Sequence, residues 1–281
     1  MVSLLDIIGP VMVGPSSSHT AGACRIGLFA RGLVGGQPDS AKVELHGSFA
    51  RTGQGHGTDR AIAGGLMGFF PDDERLRHSL ELAEQAGLAI TFSNTKLRGD
   101  PHPNTARITV TRNKQEAVVV GSSLGAGRIL ITSIDGFPVE VTGAYPTLVF
   151  VAHDEPGIVA AVSTLLAREG DNIATMRVSR RTKGGQAIHI YELDAPASAG
   201  ALDAMALVVA ASLVALAYRR TRAMRRSMAQ DQGDRERVQE LEARVADLEA
   251  GQSRMLELEE RVDFAERMLS QQREPVKLQK E

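Results

Sequence analysis

Cysteine is nearly absent from this chain, since Cys24 is the only one among 281 residues. A single thiol cannot form an internal disulfide, and it cannot by itself hold a zinc ion or an iron–sulfur cluster. Cys24 falls within an apolar stretch typical of a helix, where a small buried residue is the expected interpretation. The sequence therefore predicts no metal site on this chain.

The chain also lacks an excess of positive or negative charge. The formal net charge is −2, which gives no reason to expect a nucleic-acid partner. Residues 1–14 are apolar but contain neither a basic cluster nor a cleavage site, which argues against a signal peptide. We therefore expect a cytoplasmic protein that binds no nucleic acid.

Glycine and proline are common in the chain but almost missing from its last third. Of 28 glycines, 26 lie in residues 1–200, as do 10 of the 11 prolines. The remainder is rich in Ala, Arg, Glu and Leu. The length suggests about two domains, and the change in composition predicts that a loop-rich globular part ends near residue 200, where a helical part begins.

The most distinctive stretch is Gly-Pro-Ser-Ser-Ser-His-Thr at 14–20, directly before an apolar helical pattern. Because Pro15 cannot lie deep inside a helix and serine is a favoured N-cap, the helix should begin among the serines. The N–H groups of a helix start suit a small carboxylate or phosphate, and His19 can exchange a proton near neutral pH. The alternative is a serine-rich cap with a surface histidine, which this stretch alone favours.

A second polar loop contains Gly-His-Gly-Thr-Asp at 55–59. The glycines on both sides of His56 allow close approach of a ligand or of another backbone segment. Thr58 or Asp59 can cap the helix that follows. A flexible loop with an incidental histidine is an equally good interpretation.

A third polar loop contains His-Pro-Asn-Thr at 102–105 and leads into a strand. The prolines on both sides of His102 favour an extended, stiff backbone. Taken alone, this loop is better explained as a rigid turn.

The pattern after residue 144 predicts a strand–helix–strand–strand unit, which is three quarters of a ferredoxin-like βαββαβ unit. Residues 196–200 then resemble a linker, where a second helix and a fourth strand should follow. The predicted fold class is α+β, with one domain at 1–144 and an incomplete ferredoxin-like domain at 145–195.

The last third has patterns of its own. Residues 201–218 form an apolar run, short of the about 20 residues that span a bilayer. The first eight residues of the polar flank at 219–234 include five arginines. This is typical of a transmembrane helix with its cytoplasmic flank, and the alternatives are a buried core helix or the missing helix of the ferredoxin-like unit. Heptad-like spacing at 235–273 predicts a coiled coil or a helical hairpin.

Membrane insertion would create a conflict of topology. The positive-inside rule would place residues 1–200 outside the cell, although no export signal precedes them. The remaining explanations are association of 201–226 with a membrane interface, insertion against the rule, or a fusion of two reading frames near Ser198.

The three histidine loops, together with Asp-Ile-Ile-Gly-Pro at 6–10, closely resemble the beta subunit of the iron–sulfur-dependent L-serine dehydratases. The resemblance covers roughly residues 1–195, and the part after Tyr145 is similar to the ACT regulatory domain of that family. Residues 200–281 have no counterpart there and are only faintly similar to a phage-shock-type small membrane protein.

The resemblance implies an L-serine ammonia-lyase that acts in serine catabolism and gluconeogenesis, converting L-serine to pyruvate and ammonia. It implies an oligomer with an alpha subunit whose cysteines hold a [4Fe-4S] cluster, with no metal ligand on this chain. The iron would act as a Lewis acid on the serine hydroxyl while a base removes the α-proton.

Within that scheme, the glycine-flanked loop makes His56 the first choice for the general base, and His19 is the second. The ACT-like part implies an effector site. The predicted substrate-binding residues are Ser16, Ser17, Ser18, Thr20, Thr58, Asp59, His102, Asn104 and Thr105, and the predicted effector residues are Asp154, Pro156 and Gly157.

Two other interpretations remain. One is a non-catalytic amino-acid-binding sensor, in which an ACT-like part is joined to a membrane or coiled-coil module. The other is a structural adaptor at a membrane. An imidazole in each of three loops favours an enzyme, because a sensor does not need them, whereas the tail favours the other two.

Overall fold

The computed structural model describes residues 10–210 and, beyond them, residues 221, 237–242, 244 and 254–255. The chain divides into two units, Met1–Val214 and Ala215–Glu281, and nearly all described residues belong to the first. That unit contains both strands and helices, so the α+β prediction is confirmed at this level.

The N-terminal part is built on a mixed six-stranded sheet. Its strands are β1 (Ser40–Leu45), β2 (Ala89–Asn94), β3 (Thr105–Arg112), β4 (Gln115–Gly125), β5 (Arg128–Ile134) and β6 (Phe137–Val141). They lie in the order β2-β1-β3-β4-β5-β6. Only β1 and β2 are parallel among these neighbours, and helices connect them as a parallel pair requires.

Helices pack on this sheet, and most of the loops discussed below lie at the ends of these helices. They are α1 (Ala23–Leu33), which continues a π-helical turn (Ser17–Gly22), α2 (Gly47–Thr52), α3 (Thr58–Met67) and α4 (Ser79–Gln85), which follows a 3-10 turn (Glu74–His78).

Helices α1 and α3 cross at close range because glycines face each other at the contact. A Cβ atom on Gly27 would lie 2.5 Å from the carbonyl oxygen of Ile62, and one on Gly65 would collide with the carbonyl oxygen of Cys24. Ile26, Ile62 and Leu66 are fully buried around this crossing. The crossing holds the first half of α1, and with it the serine loop, against the second half of α3.

Two local features of this part differ from the sequence analysis. The short helix α2 was not foreseen. Helix α3 begins at Thr58 behind Gly57, whose φ of 69° is left-handed, and no side chain caps it, so neither Thr58 nor Asp59 is the cap.

The C-terminal part of the first unit is a three-stranded antiparallel sheet with helices on one face. Its elements are β7 (Thr147–His153), α5 (Ile158–Glu169), β8 (Ile173–Arg180), β9 (Gln186–Leu193) and α6 (199–210). The strand order β7-β9-β8 is that of the first three strands of a ferredoxin-like unit. Central strand β9 is buried on both faces: Ile188 and Ile190 join the N-terminal core, whereas Tyr191 and Leu193 join the core under the helices.

Helix α6 begins at residue 199, within the stretch 196–200 that was expected to be a linker. The hydroxyl of Ser198 accepts a hydrogen bond from the Ala201 N–H (3.0 Å), as an N-cap residue does. Ala201 is fully buried and Met205 is 7% exposed, in the same core as Val162 and Leu166. The start of the predicted apolar run therefore packs as a core helix, which is one of the two alternatives considered for it.

The remaining predictions for the tail are tested only in part. Among the described residues, no helix is long and apolar enough to cross a membrane, and residues 211–218 lie outside the description. The flank at 219–234 also lies outside it, except for residue 221. Val238, Leu241 and Met255, at heptad positions, are helical and more than half exposed. The coiled coil stays a prediction.

A buried histidine gives the C-terminal core a predicted pH dependence. His189 is 3% exposed and stacks on Phe150 with 4.8 Å between ring centroids, and within the described residues its ring nitrogens have no hydrogen-bond partner. Burial lowers the pKa of His189 below its usual 6.5. The unfolded chain therefore takes up a proton before the folded chain does, and stability present above pH 6.5 is lost as the pH falls toward the folded pKa.

We expect the urea midpoint of the wild-type chain to decrease between about pH 8 and about pH 5. In His189→Phe, which keeps an aromatic ring on Phe150, that decrease should be smaller. An equal decrease in both proteins would contradict this explanation.

Candidate active site

The three histidine loops meet beside the six-stranded sheet. Ser48, at the start of α2, connects the first and third loops, while Thr52, at the end of α2, contacts His19 of the first loop and His56 of the second. The N–H of Ser48 donates to the carbonyl oxygen of Pro103 (2.7 Å), and its hydroxyl lies 3.3 Å from Nε2 of His19. Residues 14–20, 46–58 and 102–105 therefore form a single cluster, although they are distant in sequence.

The serine loop is a helix start, as the sequence predicted. Ser16 has extended backbone angles, and its hydroxyl accepts a hydrogen bond from the N–H of His19 (3.2 Å). Ser17 and Ser18 are partly exposed in the π-helical turn that follows. Thr20 is 4% exposed, and a Cβ atom on Gly14 (φ 146°) would lie 2.5 Å from its hydroxyl oxygen. Thr20 thus packs against Gly14 inside the loop, while the three serines are partly exposed.

His19 is surrounded by hydroxyl groups and a ring. Its Nε2 lies 3.0 Å from the hydroxyl of Thr52, and its Nδ1 lies 3.4 Å from that of Ser16. Phe49 packs edge-on against the imidazole at 5.2 Å. Burial, and then the neighbouring His56, lower the pKa of His19, while a contact with Ser48 opposes them. His19 is therefore neutral near pH 7.

His56 lies next to His19, with 4.9 Å between the ring centroids. It is exposed, and its Nδ1 lies 3.0 Å from the carbonyl oxygen of Thr52. A carbonyl oxygen only accepts, so Nδ1 bears the proton and, in the neutral ring, Nε2 bears the lone pair. This is the state that a general base needs.

The His102 loop is held by its own backbone and by its neighbours. The N–H of Asn104 donates to Nδ1 of His102 (3.1 Å), so the neutral ring has its proton on Nε2 and is a donor there. Thr105 is fully buried, and its hydroxyl donates to the carbonyl oxygen of His102 (2.6 Å). A Cβ atom on Gly47 would lie 2.5 Å from the carbonyl oxygen of Pro103, so glycine permits the close approach of α2.

Several predicted site residues are placed differently from the histidines. Thr20, Thr58 and Thr105 are buried, at 4%, 0% and 0% exposed, although Thr20 also lines the cavity described below, and their role in substrate binding stays a prediction. Asp59 is partly exposed, and its carboxylate accepts a hydrogen bond from the N–H of Arg60.

The predicted effector residues lie in the C-terminal part. The carboxylate of Asp154 accepts hydrogen bonds from Arg180 (2.6 Å) and from the N–H of Gly184 (3.1 Å), and these bonds lower its pKa. Pro156 is exposed, and Gly157 is the cap of α5. Their role in binding an effector stays a prediction.

Sequence reasoning missed Ser48 and Thr52. Their spacing of four residues places both hydroxyls on one face of a helix, next to His19. That signal was available only if α2 had been predicted, and six residues that begin with glycine give little indication of a helix.

A cavity of about 390 Å³ opens beside His56 and the serine loop. Its walls include Pro15, Thr20, Arg60 and Arg77. A larger cavity of about 590 Å³ lies between the outer face of α1 and β7, but it has mainly apolar walls and no histidine. The chemistry of the histidine loops makes the smaller cavity the better candidate.

The described residues do not suit a metal centre. They contain no group of three or more His, Cys, Asp or Glu side chains that could hold a metal ion. Cys24 is buried, its thiol donates to the carbonyl oxygen of Phe69 (3.2 Å), and burial raises its pKa to about 12. A thiol in that state is not an iron ligand.

Comparison with known proteins identifies the family to which this chain is similar. The model of the family described as serine dehydratase beta chain matches residues 3–87, which include the first two loops. A protein named probable L-serine dehydratase, beta chain, from Bacillus subtilis is 45% identical over 192 residues, which cover 68% of this chain and 87% of the relative. The L-serine dehydratase beta chain of Peptoniphilus asaccharolyticus is 42% identical over 195 residues, covering 69% and 88%.

A third relative matches this chain over a much smaller share of its own length than the two beta chains do. L-serine dehydratase TdcG of Escherichia coli is 30% identical over 170 residues, which cover 52% of this chain but only 37% of that protein. The match to the two beta chains extends over nearly their whole length. This chain therefore belongs to the serine dehydratase beta chain family.

Proposed function

We propose that this chain is the beta chain of an L-serine dehydratase, a lyase that converts L-serine to pyruvate and ammonia. The observation that carries the proposal is the contact between His19 and His56 at a helix start rich in hydroxyls, in a member of this family. The family favours an enzyme over a sensor or an adaptor.

The reaction is an elimination followed by hydrolysis. Removal of the α-proton and loss of the β-hydroxyl as water leave aminoacrylate, which adds water and releases ammonia to give pyruvate. In our proposal, Nε2 of His56 accepts the α-proton, since its lone pair is exposed and its Nδ1 is held by Thr52. His19, neutral and next to it, can remain beside a positively charged His56.

The other loops would hold the substrate. The hydroxyls of Ser16, Ser17 and Ser18 and the N–H groups of the helix start suit the serine carboxylate. The loop at 102–105 would orient the substrate through Asn104 and through His102, which has its N–H donor at Nε2. Asp59 is a predicted substrate contact, and here we assign it to the amino group, whereas the fully buried Thr58 and Thr105 would support the loops.

A [4Fe-4S] cluster does not fit the described residues of this chain. We propose instead that cysteines of an alpha partner hold it, where it would supply a Lewis acid for the departing hydroxyl. The comparison of lengths supports a separate partner, because the region that is nearly a whole beta chain in two relatives is only 37% of the TdcG protein. An oligomer that contains both subunits follows from this proposal.

The C-terminal part of the first unit would be the regulatory domain. We propose that 145–210 is an ACT-like domain with α6 as its second helix. Asp154, Pro156 and Gly157 lie at the start of α5, where N–H groups are available for an effector.

Turnover by the assembled enzyme tests the proposal. The chain is co-expressed with a cysteine-rich alpha partner and purified without oxygen, and pyruvate and ammonia are measured with L-serine, with D-serine as control. We expect equal amounts of both products from L-serine. A complex with an intact cluster that forms neither product would overturn the proposal.

A further inference from the structure

Thr52, the last residue of α2, contacts both histidines of the candidate site through different atoms. Its carbonyl oxygen lies 3.0 Å from Nδ1 of His56, and its hydroxyl lies 3.0 Å from Nε2 of His19. One residue thus bonds to chemically different nitrogens of two adjacent rings.

The hydroxyl hydrogen of Thr52 already has an acceptor. The hydroxyl oxygen lies 2.9 Å from the carbonyl oxygen of Ser48, four residues earlier in the helix, and a carbonyl cannot donate. The hydroxyl has only one hydrogen, so it donates to Ser48 and must accept from His19. His19 therefore bears its proton on Nε2, which leaves a lone pair on Nδ1, 3.4 Å from the hydroxyl of Ser16.

We propose that Thr52 is a positioning residue that holds His19 and His56 in opposite tautomers, an inference that rests on the proposed function. Its carbonyl places the proton of His56 on Nδ1, so that Nε2 is free to act as a base. Its hydroxyl places the proton of His19 on Nε2, so that Nδ1 can accept from Ser16. Ser16 is then a donor to His19 and an acceptor for the His19 N–H (3.2 Å), which fixes its hydroxyl in the serine loop.

The tautomer of His56, with its proton on Nδ1, is distinctive because neutral histidine in solution prefers its proton on Nε2. Any sample in which His56 has the proton on Nδ1 therefore reports the contact with the Thr52 carbonyl. That contact is unaffected by a change of the Thr52 side chain, so His56 serves as an internal reference for a variant that alters only His19.

Imidazole nitrogen shifts of the full-length chain, labelled with ¹⁵N-histidine, test the proposal without reference to activity. In the wild type we expect the proton on Nε2 of His19 and on Nδ1 of His56. In Thr52→Val, which keeps the shape but removes the hydroxyl, His19 should show signals averaged over both tautomers while His56 is unchanged. Thr52→Ser, which keeps the hydroxyl, should restore the wild-type pattern at His19.

Kinetics of the assembled enzyme give a second measurement. Thr52→Val should lower kcat by about 10- to 100-fold with a smaller change in KM, because geometry rather than binding is lost. Thr52→Ser should regain most of that loss.

Two results would overturn the proposal. One is a wild-type spectrum in which His19 has no fixed tautomer. The other is a Thr52→Val spectrum in which His19 keeps the Nε2 proton, which would assign that role to the Ser48 hydroxyl at 3.3 Å. If the wild-type complex forms no pyruvate, the proposed function fails, but the spectra still decide the role of Thr52.

Discussion

Replacing His56 by alanine in the assembled dehydratase is expected to lower kcat by about 10²- to 10⁴-fold, the range for loss of a general base. The structure gives the reason, since His56 is exposed beside the candidate cavity and its Nδ1 is held by a carbonyl oxygen. The measurement is pyruvate formation by complexes with equal cluster content. Binding of the alpha partner should be unchanged, because the variant removes only a ring at the loop surface.

A matched control for His56→Ala is His78→Ala. The side chain of His78 is 74% exposed on the 3-10 turn and pairs only loosely with Glu81, at 3.7 Å. This variant should turn over L-serine at the wild-type rate. If His56→Ala is as active as the control, His56 is not the base, and His19 becomes the first candidate.

Replacing Gly65 by alanine is expected to lower the free energy of unfolding by about 3 kcal/mol, at the upper end of the usual cost of overpacking. The added methyl group would collide with the Cys24 carbonyl oxygen, which is backbone within α1 and cannot move to another rotamer. The crossing of α1 and α3 would have to open, and the serine loop would shift with α1. Urea unfolding of the full-length chain measures the loss.

The control for this variant lies on the same helix pair. A Cβ atom on Gly32, in α1, would have no atom within 4 Å, so Gly32→Ala should be neutral or stabilising by up to about 1 kcal/mol. Equal stability of the Gly65→Ala and Gly32→Ala proteins would contradict the close crossing.

Local chemistry explains why part of the fold was predictable. The serine loop signals a helix start through Pro15 and a hydroxyl cap, and Ser16 is that cap. Alternating strands and the strand–helix–strand–strand order depend on side-chain period, which the sequence displays directly. These features need no knowledge of what packs against them.

Tertiary contacts explain what was missed. Helix α2 is too short to be stable alone and is held by contacts of Ser48 with Pro103. Residues 199–205 have the composition of a linker and a membrane segment, but the open face of a sheet buries Ala201 and Met205. Thr58, a predicted substrate contact, is fully buried, which the sequence did not indicate. Burial depends on partners that are distant in sequence.

The candidate site combines features that the sequence displays locally with features that depend on tertiary contacts. Three histidines among hydroxyls could be noted from the sequence, and the resemblance to a family gave them roles. Which nitrogen of each ring bears the proton depends on Thr52 and Asn104, through bonds that exist only in the folded chain. The roles themselves stay predictions until turnover is measured.

The most direct test of the account is a titration of the cluster-bearing alpha partner with this chain. The central claim is that the polar loops of one chain complete a site whose iron belongs to another. We predict that neither chain alone forms pyruvate from L-serine and that activity rises with added chain until the two are present in equal amounts. Full activity of the alpha partner without this chain would contradict the claim.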